Sequence, residues 1–135
     1  MSGNISYLTA YHTVRSYELD SFGHVNNAVF LNYLEYARTE YLLQRGLSFD
    51  DFEKWQKYPL VIKVDIEYKY PARVHDKLKL SGYISEWKKS SFTLKYRIDN
   101  LSKERLCATA DVVFVFTNSQ GRPSAIPEQF RSRME

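Results

Sequence analysis

The sequence has a single cysteine, no long apolar run and little excess charge, and each of these absences excludes a class of protein. Cys107 has no second cysteine to pair with, so no internal disulfide can form and a reducing compartment is expected. No stretch approaches the roughly 18 consecutive apolar residues of a transmembrane helix. The N-terminal segment contains no apolar run of signal-peptide length. We therefore expect a cytoplasmic protein with no membrane partner.

Signals for metals, nucleotides and nucleic acids are also missing. The net charge is +3, from 19 basic and 16 acidic residues, which is too small to indicate a nucleic-acid partner. His12, His24 and His75 lack the spacing of metal ligands. No glycine-rich phosphate loop or dinucleotide fingerprint occurs. We therefore predict no metal site and no nucleic-acid partner.

The composition is that of a folded protein with one core. Of the 135 residues, 44% are hydrophobic, 16% are aromatic and 26% are charged. A chain of this length can bury one substantial core, so we predict that residues 1–135 form a single domain. Residues 118–135 are rich in turn-forming residues, and we expect them to form a loosely ordered tail.

A long helix is predicted from Asn27 to about residue 44 or 45. Asn26 and Asn27 are both good N-caps, and Gly46 supplies a stop at the C-terminal end. Apolar residues point in almost every direction around this helix, so we expect it to be covered on most sides. The exception is a narrow polar stripe, formed by Asn32, Glu35 and Thr39.

The remaining segments predict one sheet. A short second helix is predicted over residues 48–58, and from Leu60 onward apolar and polar residues alternate in the pattern of a strand. Short connections between the strands favour antiparallel pairing. The prediction is an α+β fold in which a five-stranded antiparallel sheet wraps around the long helix. The predicted strands are 7–17, 60–70, 78–84, 92–98 and 106–116.

The segment YELDSFGHVNN, residues 17–27, combines an acid with a helix N-terminus. The free amides and partial positive charge of that terminus can stabilise negative charge on an oxygen. Asp20, turned back by Gly23, could face the same place as a base or nucleophile. This combination suits the hydrolysis of an activated acyl group such as a thioester. An ordinary turn and helix cap would use the same residues, so the pattern alone leaves both interpretations open.

The same segment resembles the active-site region of hotdog-fold acyl-CoA thioesterases of the 4-hydroxybenzoyl-CoA thioesterase type. The resemblance lies in Asp20–Ser21–Phe22–Gly23, in Phe30 and Tyr33, and in Glu35–Tyr36–Ala37–Arg38. It implies a hotdog fold, a catalytic carboxylate at Asp20 and an oxyanion-binding backbone amide at Asn27. It also implies a homodimer or homotetramer with its site between two subunits, and no cofactor apart from the carrier in the substrate.

The loop His24–Val25–Asn26–Asn27 is more similar to that of acyl-ACP thioesterases of the same fold, which makes His24 a further catalytic candidate. The carrier, CoA or acyl carrier protein, therefore stays open. A non-catalytic acyl-CoA-binding hotdog protein is a further alternative. A hydratase of the same fold would need an Asp and His pair that does not occur cleanly here.

Several other residues are candidates for substrate binding. Tyr17 and Phe22 could line an acyl pocket or pack in the core. Lysines and hydroxyls at a predicted strand turn, residues 88–91, could contact the phosphates or pantetheine of CoA, or be solvated; Arg73 and Lys77 are weaker candidates. The substrate-binding candidates are Tyr17, Phe22, Gly23, Asn26, Glu35, Lys88, Lys89, Ser90 and Ser91.

Overall fold

The alternating apolar segments pair into one sheet, and the helices pack on one of its faces. The computed structural model describes residues 7–135. Within this range no helix is long and apolar enough to cross a membrane. The strands are β1 (Leu8–Thr13), β2 (Lys57–Tyr68), β3 (Lys77–Trp87), β4 (Ser91–Asn100) and β5 (Arg105–Asn118). The helices are α1 (Asn27–Gln44), α2 (Phe49–Trp55) and α3 (Glu128–Met134).

The sheet has the strand order β1-β3-β4-β5-β2, and every neighbouring pair is antiparallel. This confirms the predicted five-stranded antiparallel sheet. β1 and β2 form its two edges. A single turn of 3-10 helix, Ser16–Glu18, follows β1 and leads into the loop before α1.

The core lies between α1 and alternate residues of the central strands. Along β4, Phe92, Leu94, Tyr96 and Ile98 are all buried on the face toward the helices. Burying one large apolar side chain stabilises the fold by about 1.5–3 kcal/mol. These residues therefore anchor the sheet beneath the helices.

α1 approaches the sheet closely at one point. The Tyr41 hydroxyl donates a hydrogen bond of 2.6 Å to the carbonyl oxygen of Leu80. A Cβ atom at Gly82 would lie only 2.7 Å from the Tyr41 ring. Gly82 therefore leaves the space that the ring occupies.

The bounds of α1 agree with the prediction, but its burial does not. The Asn26 side chain accepts a hydrogen bond of 2.9 Å from the Ala28 amide, which makes Asn26 the N-cap. The prediction that α1 is covered on most sides is wrong for this chain, because α1 packs mainly on β1 and β3 and leaves the β2 side of the sheet open. The exposed fractions are 46% for Leu31, 40% for Tyr36 and 59% for Leu43. Of the predicted polar stripe, Asn32 and Glu35 are exposed and Thr39 is half-buried.

β2 departs from the single alternation expected for it. An irregularity in its pairing with β5 lies between Val61 and Lys63. Leu60 pairs with Val115 before this point, and Val64 pairs with the buried Val112 after it. Directly paired side chains share a face, so Leu60 and Val64 lie on opposite faces and not on the same one. The extra residue of a β-bulge is the physical reason.

The prediction of a loosely ordered tail over residues 118–135 is wrong. This segment contains α3, and Phe130 and Met134 are only 2% and 5% exposed. The Phe130 ring lies 4.9 Å from the Phe116 ring and 5.1 Å from the Phe92 ring, measured between centroids. Ile126, Phe130 and Met134 are four residues apart, and all three are buried. Their burial against the sheet holds the segment in place.

Candidate active site

The loop before α1 folds back on itself at Asp20. The Oδ1 atom of Asp20 accepts hydrogen bonds from the amides of Phe22, at 2.9 Å, and His24, at 3.1 Å. The Asp20 amide donates to the His24 carbonyl oxygen at 2.7 Å. Gly23 has a φ of 81°, a left-handed conformation that glycine adopts readily. The Oδ2 atom of Asp20 has no hydrogen-bond partner among residues 7–135, so it is available to a substrate.

The N-terminus of α1, seven residues after Asp20, offers an unpaired amide. Within the described chain the Asn27 amide has no hydrogen-bond acceptor, whereas the next amide, that of Ala28, is capped by Asn26. The Tyr68 hydroxyl donates to the Asn27 carbonyl oxygen at 3.1 Å. An exposed amide at a helix N-terminus is suited to bind an oxyanion.

Asp20, His24 and Asn27 line one cleft of about 290 Å³. The structure therefore brings the three predicted catalytic candidates together. Sequence reasoning missed the opposite wall, which comes from the end of β2. No local signal could have found it, because a strand end reveals its neighbours only after folding. The residues of the cleft that the sequence did not indicate are Tyr68, Lys69, Tyr70 and Pro71.

The predicted substrate-binding residues of the loop lie near the cleft but not in its wall. Tyr17 and Phe22 are 81% and 83% exposed, and neither packs in the core. Gly23 and Asn26 shape the loop and cap the helix. Arg73 lies close by, since a Cβ atom at Gly23 would be 4.0 Å from its guanidinium group.

The remaining candidates lie farther away. Glu35 is exposed and lies eight residues beyond Asn27, about 12 Å along the helix axis. Lys88 to Ser91 form the β3–β4 turn at the opposite end of the sheet. The length of β3, 11 residues, separates this turn from Lys77 by about 36 Å. Within one subunit these residues are therefore not brought to Asp20.

A half-buried carboxylate, Glu18, joins the loop to β1 and α1. It accepts hydrogen bonds from the Tyr33 hydroxyl at 2.9 Å and the Arg15 amide at 2.8 Å, and lies 3.0 Å from His12 Nε2. Burial works to raise the pKa of Glu18, but the bonds from Arg15, His12 and Tyr33 together lower it. The Glu18 carbonyl oxygen accepts from the Asn26 amide at 3.0 Å. Glu18 therefore ties the helix N-cap to the core.

The loop rests on a segment that a buried carboxylate, Asp76, holds in place. The Val25 amide donates to the carbonyl oxygen of Ala72 at 2.8 Å, in the segment before β3. Asp76 orders this segment by accepting from the Arg73 amide, the Asn100 side chain and Lys103 Nζ, at 3.0, 2.8 and 2.9 Å. Burial opposes its ionisation, but these donors lower the pKa of Asp76.

Neither a metal nor a thiol nucleophile is indicated in the described chain. Among residues 7–135 no group of three or more His, Cys, Asp or Glu side chains is placed to hold a metal ion. Cys107 donates its thiol hydrogen to the Tyr70 carbonyl oxygen at 3.1 Å. Burial raises the pKa of Cys107 to about 11, so its thiol stays protonated.

A five-stranded antiparallel sheet that packs on one long helix, with an acidic loop at the helix N-terminus, is the architecture of a hotdog-fold protein. The 1,4-dihydroxy-2-naphthoyl-CoA thioesterase Slr0204 from Synechocystis superposes with a TM-score of 0.88 over 96% of each chain, at 19% identity. YbaW, a probable thioesterase from Escherichia coli, has a TM-score of 0.83 and 27% identity, covering 95% of this chain and 96% of its own. The hotdog fold is confirmed.

The chain belongs to the thioesterase-like superfamily, whose family model matches residues 14–134. It is 30% identical over 120 residues to the acyl-acyl carrier protein thioesterase ATL3 of Arabidopsis thaliana. The matched region covers 89% of this chain and 63% of ATL3. It is 28% identical over 127 residues to the long-chain acyl-CoA thioesterase FadM of Escherichia coli, covering 90% of this chain and 92% of FadM. The chain thus spans less than two thirds of the length of ATL3.

Proposed function

We propose that this protein hydrolyses acyl-CoA thioesters, releasing a carboxylic acid and free CoA. The observation that carries the proposal is the single cleft that Asp20 and Asn27 both line. A carboxylate, as base or nucleophile, and an oxyanion-binding amide are together able to catalyse thioester hydrolysis. The relatives named above hydrolyse acyl thioesters by their names, which supports the same class of reaction here.

The chemistry follows from the two groups. The Asn27 amide donates a hydrogen bond to the thioester carbonyl oxygen and stabilises the negative charge that develops there. Asp20 acts through its unpaired Oδ2 atom, either by removing a proton from an attacking water or by attacking the carbonyl carbon itself. If Asp20 activates water, the C–S bond breaks, the carboxylic acid is released, and the CoA thiolate takes up the proton that was removed from the water. If Asp20 attacks, loss of the CoA thiolate leaves an acyl anhydride on Asp20, which a water then hydrolyses to the free acid and the regenerated carboxylate, and the thiolate takes up a proton from that water.

A homo-oligomer is part of the proposal. β2 is an edge strand, and Leu60, Ile62 and Val64 on it are 49%, 61% and 41% exposed. An exposed apolar edge strand favours pairing with another strand. Two copies of β2 joined antiparallel about a two-fold axis would continue one sheet through both subunits. A dimer is the minimum assembly, and a tetramer would add a second interface.

Such a dimer also accounts for the location of Lys88 to Ser91. In an antiparallel β2 pair, the Lys57 end of one strand lies beside the Tyr68 end of the other. The far end of one subunit's sheet, which carries the β3–β4 turn, then faces the end that carries Asp20 in the other subunit. The lysines and hydroxyls of the partner's β3–β4 turn would then lie at the Asp20 end of this subunit, on the side from which we propose that the CoA phosphates approach.

CoA is the carrier that we propose, and acyl carrier protein is the second candidate. FadM, which by name acts on acyl-CoA, is matched over 92% of its length, whereas ATL3, which by name acts on acyl carrier protein, is matched over 63%. A cytoplasmic location stays a prediction and is supported by the single, buried Cys107.

The test is thiol release from a panel of acyl-CoA and acyl-ACP thioesters. Asp20→Asn keeps the size of the side chain and should lower kcat by about 10²–10⁴ with little change in binding. Asp50→Asn, an exposed acid on α2 outside the cleft, is the matched control and should behave as wild type. Binding of acyl-CoA without thiol release would favour the non-catalytic alternative, and preference for acyl-ACP would favour the second carrier.

A further inference from the structure

An apolar pocket of about 150 Å³ lies away from the cleft, where the three helices meet the sheet. Leu42 of α1, Phe49 of α2 and Met134 of α3 contribute to its wall, with Ile84 and Leu94 below them. Nothing in the catalytic chemistry uses this pocket. Apolar cavities of this kind stay dry and accept apolar ligands.

An uncovered apolar strip connects the cleft to this pocket. Tyr68, at one end of β2, lines the cleft, and Pro59, near the other end, lines the pocket. Between them Val61 and Val64 are 45% and 41% exposed, although they pair with the buried Phe114 and Val112 and so face the helix layer. Leu31, 46% exposed on α1, borders the same strip.

Among the residues that the structure describes, Arg38 is the one charged residue in the pocket wall. The Arg38 guanidinium carbon lies over the Phe114 ring, 5.0 Å from its centroid. In this position the charge interacts with the ring face while the methylene stem of Arg38 adds apolar surface. The wall therefore stays apolar in spite of Arg38.

The separation between cleft and pocket matches a long acyl chain. Along α1, Arg38 and Leu42 lie 11 and 15 residues beyond Asn27, which is about 16 and 22 Å at 1.5 Å per residue. Carbon–carbon bonds of about 1.5 Å in a zigzag advance an extended chain by about 1.25 Å per bond. A chain of about 13 to 18 carbons therefore spans from the thioester carbonyl into the pocket.

We propose that this pocket, walled at its end by α2 and α3, receives the methyl end of a long-chain fatty acyl group. The inference rests on the proposed function, because it places the thioester carbonyl between Asp20 and Asn27. It makes long-chain acyl thioesters the preferred substrate class. Short acyl groups occupy only the cleft and the first part of the strip.

The test measures the affinity of the full-length Asp20→Asn protein for palmitoyl-CoA and octanoyl-CoA by titration calorimetry, below the micelle concentration. Each methylene removed from water should raise affinity by about four-fold, so palmitoyl-CoA should bind much more tightly than octanoyl-CoA. Leu42→Phe and Ile84→Phe partly fill the pocket. Each should weaken palmitoyl-CoA binding by about ten-fold and change octanoyl-CoA binding by less than about two-fold.

Leu43→Phe is the matched control, because Leu43 is 59% exposed and does not line the pocket. The Leu43→Phe variant should bind palmitoyl-CoA and octanoyl-CoA with the same affinities as the Asp20→Asn protein in which it is made. Equal affinity for the two ligands before substitution, or equal loss of both in the two filling variants, would overturn the inference. Octanoyl-CoA binding also reports whether each variant is folded.

The two proposals can fail separately in this design. If binding depends on chain length and Leu42→Phe removes this dependence, but wild type releases no thiol, the proposed acyl pocket is supported and the proposed thioesterase activity is rejected. If thiol release depends on Asp20 but is equal for both chain lengths, the thioesterase activity is supported and the acyl pocket is rejected.

Discussion

The Tyr33 hydroxyl, in α1, donates a hydrogen bond of 2.9 Å to the carboxylate of Glu18, in the segment that leads to Asp20. The bond joins the helix that carries the Asn27 amide to the loop that carries the carboxylate. The distance between the two proposed catalytic groups therefore depends on a pair of residues that line neither side of the cleft.

Glu18→Gln should loosen this link without removing a catalytic group. The hydrogen bonds to an ionised acceptor are worth about 1.5–3 kcal/mol, so we expect the free energy of unfolding to fall by about 2 kcal/mol. Because Glu18 is a positioning residue, Glu18→Gln should lower kcat by about ten-fold while KM changes little. Steady-state kinetics and urea unfolding give both values.

Glu53→Gln is the control for this variant, since Glu53 accepts a similar bond of 3.1 Å from Tyr58 at the surface. Its effect should be below about 0.5 kcal/mol and kcat should not change. A normal kcat in Glu18→Gln, at full stability, would contradict the positioning role.

Tyr41 and Tyr96 offer a paired test of hydrogen bonding in the core. Their rings stack with centroids 6.2 Å apart, and both are at most 1% exposed. Tyr41 donates to Leu80, whereas the Tyr96 hydroxyl has no hydrogen-bond partner among residues 7–135. Tyr41→Phe should lower the free energy of unfolding by about 1–2 kcal/mol, and Tyr96→Phe should leave it unchanged or raise it by up to about 1 kcal/mol. A larger loss in Tyr96→Phe, measured by urea unfolding, would mean that its hydroxyl is satisfied.

Asp76 should make the protein sensitive to acid. Its donors lower the folded-state pKa below the ordinary value of 3.8. The unfolded chain therefore takes up a proton first as the pH falls. The stabilisation is complete above about pH 5 and is lost as the pH falls through the folded-state pKa.

Thermal unfolding between about pH 5 and 2 should accordingly show a smaller pH dependence in Asp76→Asn than in wild type. At neutral pH the variant should be less stable by about 2–4 kcal/mol, because Lys103 and the Arg73 amide lose a charged acceptor. An unchanged slope in the acid range would show that other carboxylates dominate.

The exposed edge of β2 should control assembly. Ile62 is 61% exposed beside the irregularity in β2, and Ile62→Lys places a charge where the second strand is proposed to pair. Light scattering should show a smaller species for this variant than for wild type, with thiol release lost alongside. Leu43→Lys, at a 59% exposed helix position away from the edge, should keep the wild-type mass. An active wild-type monomer would reject the dimer.

Features of the fold that depend on neighbours in sequence were predictable. Asn26 caps α1 and Gly46, with a φ of 72°, follows it, as their residue types indicate. Residues of β4 follow the alternation expected of a half-buried strand. Such signals depend on only a few neighbouring residues, so the elements that they mark can be identified from the sequence alone.

Features that depend on partners across the sheet were not predictable. The irregularity near Ile62 is defined by β5, and the burial of Phe130 is defined by Phe92 and Phe116. In the site, Asp20 and Asn27 share one segment with its own pattern, whereas Tyr68 reaches the cleft only through the pairing of β2. The interpretation of residues 88–91 as a CoA contact depends on a second subunit, which no local pattern describes.

Gly82 illustrates how a position without any chemistry can limit the whole molecule. A methyl group there would lie 2.7 Å from the Tyr41 ring, which is too close, so α1 would have to lift from the sheet or Tyr41 would have to leave the core. Either movement would shift the Asn27 amide at one end of α1 and Leu42 near the other. In a saturation mutagenesis screen for thioesterase activity, residue 82 should therefore reject every side chain, as a catalytic residue does. Such a result would reflect the spacing between two layers of the fold and would be mistaken for chemistry if the helix were ignored.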